Sequence, residues 1–301
     1  MKRVIFSIYI DIEEKDLDEQ PPFYRDTIPK TLRTKLKMKE YYPWLKQVQE
    51  KYAENNNIKY KLFENDARWI SYKTHFNEKY PFITAYNIVN FYKIHLLYEL
   101  AKEYDEILYL DFDVVPLSNE NFFEHWKISK NGMAIKIEDE KARKQIMATS
   151  RRYNSAYVTG SNLNLSNRSP IAKHWNTRAL LLYTYNKTKH EIFNTGIIGV
   201  SAEQLKKIDY FENFDEILEI MTDLKDDDMW PMWMRDVFGW DNETIWSYKI
   251  AMNNITYQCL DDNWHHAIYF RNTAPESSHL LHVINKDFEY AKEKYDERNS
   301  L

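Results

Sequence analysis

A single cysteine, Cys259, among 301 residues excludes an internal disulfide framework and fits a reducing compartment. With no second thiol and no paired histidine beside it, Cys259 is expected to be buried and structural. Glycine is also scarce, at five residues, and no Gly/Ser linker, internal repeat or low-complexity tract interrupts the chain, so one domain over residues 1–301 is the simplest expectation. No apolar run approaches the ~20 residues that a membrane helix requires. The protein is therefore expected in the cytoplasm, touching a membrane at most peripherally. Positive charge is lacking too: the net charge is −5, without the basic field of a nucleic-acid binder. An anionic ligand would need locally placed cations or a metal.

Aromatic residues, by contrast, make up 16% of the chain, a surplus read here chiefly as core. The opening "MKRVIFSIYIDIEEKD" has the cations and apolar run of a signal peptide. It then meets Asp11, Glu13 and Glu14 with no small-residue cleavage site, which predicts a strand over Arg3 to Ile10. A helix is expected to begin with Pro43 in its first turn, carry Leu45, Val48 and Tyr52 on one face, and stop at Asn55 to Asn57. A strand follows at Lys59 to Phe63. Ala85, Ile88, Val89, Tyr92, Leu96 and Leu100 then recur at helical spacing and lead into the apolar strand Ile107 to Leu110. Strand, helix, strand, helix, strand is the pattern of a parallel α/β sheet. Further strands are expected at 132–137, 192–201 and near 255–260, with helices over 202–221 and 242–252.

Asp111 and Asp113 end the Ile107 to Leu110 strand, where open α/β sheets bind ligands. Two residues apart in extended chain, they would share a face while Phe112 points the other way, and Val115-Pro116 would stop the strand. Like charges held that close favour a hard divalent cation between them, Mg²⁺ or Mn²⁺.

The stretch "KIHLLYELAKEYDEILYLDFDVVPLSN" resembles the donor-binding core of GT-A-fold glycosyltransferases, nearest to family eight, the glycogenin and lipopolysaccharide galactosyltransferase group. The resemblance implies an α/β GT-A fold with a mostly parallel central sheet flanked by helices. Residues 1–137 would bind the donor, and 138–301 would supply the acceptor side and a C-terminal metal-binding segment. It also implies a Mn²⁺- or Mg²⁺-dependent transfer of sugar from a nucleotide-diphosphate donor, a UDP-sugar, to a glycan acceptor, with retention. Tyr92-Lys93 takes the place of the family's tyrosine or alanine followed by a basic residue, with Lys for the usual Arg. Asp111, Phe112 and Asp113 form the metal and donor motif. "FNTGIIGVS" resembles the Phe-Asn-x-Gly strand, so Asn194, Thr195 and Gly196 would face the sugar. "LLHVINK" resembles the His-x-x-Gly-x-x-Lys-Pro-Trp segment, making His282 the third metal ligand and Lys286 a phosphate contact, although the glycine and the Pro-Trp are absent. Asp241, Asn242 and Glu243 align with the Asp-Gln-Asp helix start beside the reacting carbon, and Ser7 and Tyr9 would receive base and ribose. Residues 138–190 match poorly. A bacterial or virus-encoded cytosolic enzyme suits the lack of an anchor.

Other clusters carry weaker expectations. His279 is an alternative ligand. His265-His266, pointing oppositely on a strand, would serve the surface or an acceptor site, and Asp226 to Asp228 would form a solvated loop. Trp230, Trp233, Trp240 and Trp246 would either stack an acceptor sugar or pack internally. A sugar-nucleotide nucleotidyltransferase would open on a Gly-rich loop, which "SIYIDIEEKD" lacks. A non-catalytic carbohydrate-binding protein would bind without turnover.

Overall fold

The computed structural model describes residues 1–17, 28–138, 170–186, 188–230, 235, 238–268 and 274–299. It divides into two units. The first comprises Met1–Lys136, Gly196–Glu203 and Tyr257–Leu301, and the second Ile137–Thr195 and Gln204–Thr256.

The first unit is built on β1 (Arg3–Ile8), α1 (Lys30–Asn55), β2 (Lys59–Phe63), α2 (Ala67–Lys79), α3 (Ala85–Leu100), β3 (Glu106–Leu110) and β4 (Val114–Pro116). The short helices α4 (Phe122–Trp126) and α5 (Ile128–Asn131) then lead to β5 (Met133–Ile137). Gly196 onward in β6 (Phe193–Ser201), then β7 (Gln258–Cys259), β8 (His266–Ala267), β9 (Leu280–His282) and α10 (Phe288–Asn299) complete it. The six-stranded sheet runs β2-β1-β3-β6-β5-β7. β1 is parallel to β2 and β3, and β5 to β7, whereas β6 runs antiparallel to β3 with Leu110 opposite Ile197. The expected α/β architecture, with a mostly parallel sheet, is therefore observed. A second sheet, β4-β9-β8, is small.

Every residue of β3 and β6 is buried, which is why Ile107 to Leu110 and Ile197 to Val200 do not alternate apolar with polar residues. Gly199 on β6 is there for space: a Cβ added to it would lie 2.2 Å from Cε1 of Phe122 and 3.2 Å from Cδ1 of Ile128. Gly199→Ala should therefore cost about 1–3 kcal/mol through overpacking, read as a lower urea midpoint at unchanged slope. An unchanged midpoint would mean that Phe122 moves aside freely.

Two sequence expectations need correction, and one helix was missed. α1 begins at Lys30, so Pro43 lies inside the helix rather than in its first turn. Met38, Tyr41, Tyr42 and Trp44 pack on the core cluster around Leu45 and Phe112, and this burial carries the helix through the hydrogen bond that Pro43 cannot donate. α2 was not expected, because only Trp69 and Phe76 mark its buried face; the available signal was Asp66, whose side chain caps it by accepting from the Trp69 amide at 2.9 Å. Cys259 is exposed, not buried, since it lies on a two-residue strand at the edge of the sheet.

In the second unit, α6 (Pro170–Tyr183), α8 (Phe214–Asp226) and α9 (Asn242–Met252) are the main helices, and α7 (Ala202–Ile208) precedes α8. α6 packs against both α8 and α9. Phe214, Ile217, Leu218, Met221 and Leu224 of α8 are buried at the helical period that the sequence displays. Among the described residues, no helix is long and apolar enough to cross a membrane. Trp233 and residues 139–169 lie outside the described residues.

Candidate metal centre and associated clusters

The two aspartates occupy a turn, not extended chain. β3 stops at Leu110, the amide of Val114 donates to the Asp111 carbonyl at 2.9 Å, and β4 starts at once. The carboxylates therefore converge by a reversal of the backbone instead of by strand alternation, and Val115-Pro116 belongs to a new strand. Gln49, fully buried on α1, holds this turn: its Nε2 donates to the carbonyls of Asp111 at 3.1 Å and Val114 at 2.8 Å. Its Oε1 accepts from Ser7 at 2.6 Å and Tyr60 at 2.8 Å, so the amide's hydrogen-bonding capacity is filled. Ser7 thus lies wholly buried with its hydroxyl committed to Gln49, and it presents nothing to a nucleotide.

The small sheet delivers the third donor. β4 and β9 pair antiparallel with Val114 opposite His282, and the Val283 amide donates to the Asp113 carbonyl at 3.0 Å. Nε2 of His282 consequently lies 3.5 Å from Asp111 Oδ2 and 3.4 Å from Asp113 Oδ1. One donor atom from each of Asp111, Asp113 and His282 falls within 4.8 Å of the others. Two hard carboxylate oxygens and one imidazole nitrogen are a donor set that suits Mn²⁺ or Mg²⁺, so these residues fit the implied ion.

Cations flank the carboxylates. Lys286, with its backbone in the left-handed region at φ 60°, pairs with Asp113. Lys93, nearly fully buried on α3, lies 3.6 Å from Asp111, and the Tyr109 hydroxyl donates to that carboxylate. Burial alone would push the Asp113 carboxyl up, but Lys286 and His282 outweigh it and hold it well below the usual carboxylate range. Phe112 turns inward, its ring 5.1 Å from Tyr9 and 5.5 Å from Tyr42. Tyr9 is half-buried; burial first, then the charges of Asp11 and Glu64, push its phenol up to about 12.

The second unit holds a separate cluster. Asp241 caps α9, accepting from the Thr244 amide at 2.8 Å and the Thr244 hydroxyl at 2.6 Å, which is the helix start expected there. Burial raises its carboxyl above the ordinary range, against the opposing pull of Lys173 and Thr244. Asn242 donates to the Thr195 hydroxyl at 2.9 Å, and Glu243 accepts from the Thr195 amide at 2.7 Å and its hydroxyl at 3.1 Å. Asn194 donates to Glu138 at 3.2 Å. Lys173 on α6, which no sequence pattern flagged, pairs with Glu243 in the interior. Gly196, the next residue of β6, accepts from the Asp111 amide at 2.7 Å.

The remaining expectations sort as follows. His279 is engaged elsewhere, with Nδ1 2.8 Å from the Ser118 hydroxyl and its ring against Trp264, so it does not compete as a ligand. His265 is not a surface residue: it is buried, with Nε2 2.9 Å from Nδ1 of His282. His266 is half-buried. Trp246 is fully buried, and Trp240 donates to Thr222 at 3.1 Å, so packing accounts for both. Asp228 lies in solvent.

Among curated proteins none matches the chain. Solved structures with distant likeness include a glycosyltransferase involved in glycosylation of the major capsid of PBCV-1, at 14% identity and TM-score 0.42 over 100% of both chains. The galactosyltransferase LgtC in complex with donor and acceptor sugar analogs gives 11% identity and TM-score 0.47, over 99% of this chain and 96% of that one. Mouse xyloside xylosyltransferase 1 gives 10% identity and TM-score 0.43, over 94% and 98% respectively. Residues 25–238 match the family model for glycosyl transferase family 8; that span contains Lys93, Asp111, Asp113 and Asn194 to Gly196, whereas Asp241 to Glu243, His282 and Lys286 lie beyond it. A family match over well more than half of the sequence, through the carboxylate turn, means that the chain belongs to glycosyl transferase family 8 and is a glycosyltransferase.

Proposed function

We propose that the enzyme moves a sugar from a nucleotide-diphosphate donor, a UDP-sugar, to a glycan acceptor with retention, using Mn²⁺ or Mg²⁺ held by Asp111, Asp113 and His282. The convergence of these three donors beside Lys93 and Lys286 is the observation that carries the reading. Bound there, the ion supplies electrostatic stabilisation of the negative charge that builds on the departing diphosphate. Lys286 is paired to Asp113 and Lys93 to Asp111, so each ammonium can turn part of its charge to phosphate oxygens once the carboxylates face a cation. Tyr9, half-buried at the end of the first strand, offers a ring and a phenol for the base and ribose. Asn194, Thr195, Gly196, Asp241, Asn242 and Glu243 are assigned to the sugar and the reacting carbon by the family pattern. The hydrogen bonds that fix Thr195, Asn242 and Glu243 to one another agree with a preorganised polar site.

A thermal-shift panel of nucleotide sugars with and without Mn²⁺, followed by measured nucleotide diphosphate release, tests this. At ~100 times its dissociation constant the correct donor should add about 2.7 kcal/mol, only in the presence of metal, and release should require acceptor. Shifts without release would favour a carbohydrate-binding role. No shift with any nucleotide and metal would sink the reading.

A further inference from the structure

His282 uses its two ring nitrogens in different directions. Nε2 faces Asp111 and Asp113, while Nδ1 lies 2.9 Å from Nε2 of His265. An imidazole that ligates through Nε2 must present a lone pair there, so its proton resides on Nδ1 and needs an acceptor. His265 is the residue in hydrogen-bond reach of that nitrogen among the described contacts, and it is held firmly. It is 1% exposed, its amide donates to the Asp261 carbonyl at 3.0 Å, and its ring lies 5.1 Å from that of His282 at an interplanar angle of 34°.

We propose that His265 is a positioning residue for the metal ligand His282: its Nε2 accepts the Nδ1 proton of His282 and so keeps Nε2 of His282 bare and aimed at the carboxylate pair. The inference rests on the metal-site reading above. It explains why a histidine rather than an acid stands behind the ligand. A carboxylate would serve as acceptor, but it would add a third negative charge to a site that already holds two and must admit a diphosphate. A neutral ring orients the ligand without that repulsion. The arrangement also leaves the His265 proton on Nδ1, a buried nitrogen with no hydrogen-bond partner among the described residues, so the ring is committed to one neighbour. An uncompensated buried donor is tolerated where the geometry it fixes is used. In the metal-free protein the same contact can run in the opposite sense, with His282 Nε2–H toward the carboxylates, so the two rings stay in register in either state.

The test is Mn²⁺ binding by the whole chain without any sugar nucleotide, followed by the loss of the free-ion electron paramagnetic resonance signal. His265→Phe fills the volume but accepts no hydrogen bond; Mn²⁺ affinity should fall by ~10–100-fold. His265→Gln, which can reach Nδ1 of His282 with an amide oxygen, should recover most of it, whereas the shorter His265→Asn should not. A folded His265→Phe protein that binds Mn²⁺ as tightly as the parent overturns the proposal. If His265→Phe does not fold, the Gln and Asn variants decide, and equal affinities for those two overturn it. A parent protein that binds no Mn²⁺ overturns the metal reading itself, and this inference with it.

Discussion

Asp113→Asn removes the metal-dependent part of nucleotide binding and lowers turnover by at least ~10²–10³-fold, the scale on which loss of one charge-stabilising group acts. Several geometric facts combine in that expectation. Asp113 offers Oδ1 to the ligand cluster and Oδ2 to Lys286, and it is almost fully buried. An amide of the same shape keeps the turn and its backbone bonds to Val283, so the protein should still unfold cooperatively. Losing a buried ion pair costs about 3–5 kcal/mol in the limit, but relief of the repulsion from Asp111 acts in the opposite direction. Acid titration provides a second readout. The Asp113 carboxyl is depressed in the folded state, so its contribution is complete above about pH 4 and is lost as pH falls through the lower folded value. That acid limb should be weaker in the variant. A Mn²⁺-dependent thermal shift equal to the parent's would refute the role of Asp113 as a ligand.

Lys173→Met should be the most damaging single change in the second unit, lowering stability by about 3–5 kcal/mol. The lysine is buried. Burial alone would lower its pKa, yet Glu243, Glu138 and Asp241 together raise it above the ordinary lysine value. Removing it takes from Glu243 a buried cation, leaving the neutral donors of Thr195 among its partners, and deprives three acids of the cation they share. Adding Glu243→Gln to Lys173→Met should restore about 1–3 kcal/mol, a coupling measurable by a double-mutant cycle in urea. Because the lysine value is raised, the lysine's own contribution is present below about pH 10 and fades only in alkali, so the cycle can be run at neutral pH. Strictly additive effects would show that the two side chains stabilise the unit independently.

The strands at Glu106–Leu110 and Met133–Ile137, and the 197–200 part of Phe193–Ser201, were legible as short apolar runs bounded by polar turns, and Lys59–Phe63 from its alternation of lysine with apolar residues after the Asn55 to Asn57 stop. α9 was legible from Asp241, whose cap is a local signal. The direction of β6 was not, since a run buried on both faces reads the same in either orientation. The first half of α1 was hidden because its apolar residues are half-buried against partners far along the chain.

At the candidate metal centre Asp111 and Asp113 were singled out by their place at the end of an apolar strand, although the alternation argument assumed extended backbone where the chain turns, and His282 came through the family resemblance. Gln49, Tyr109, His265 and Lys173 were passed over for one shared reason. Each is defined by what it touches, and Gln49 touches residues 42, 62 and 65 positions away. His265 reads as half of an ordinary surface pair until β8 and β9 are known to be neighbours, with Ala267 opposite His282.

The small β4-β9-β8 sheet is made of strands two or three residues long, too short to hold together by backbone pairing alone. It joins residue 114 to residue 282, and the three candidate ligands gather at that junction. A cation shared by Asp111, Asp113 and His282 would close a covalent-like loop through most of the chain. By chain-entropy reasoning a permanent link of that length restricts the unfolded ensemble by ~5 kcal/mol. In a sequence whose lone thiol forbids a disulfide, the cross-link would be ionic and reversible, drawn tight or released by the concentration of a dissolved ion. Amide hydrogen exchange along Leu280 to Val283 would then be a gauge of occupancy that needs no sugar at all.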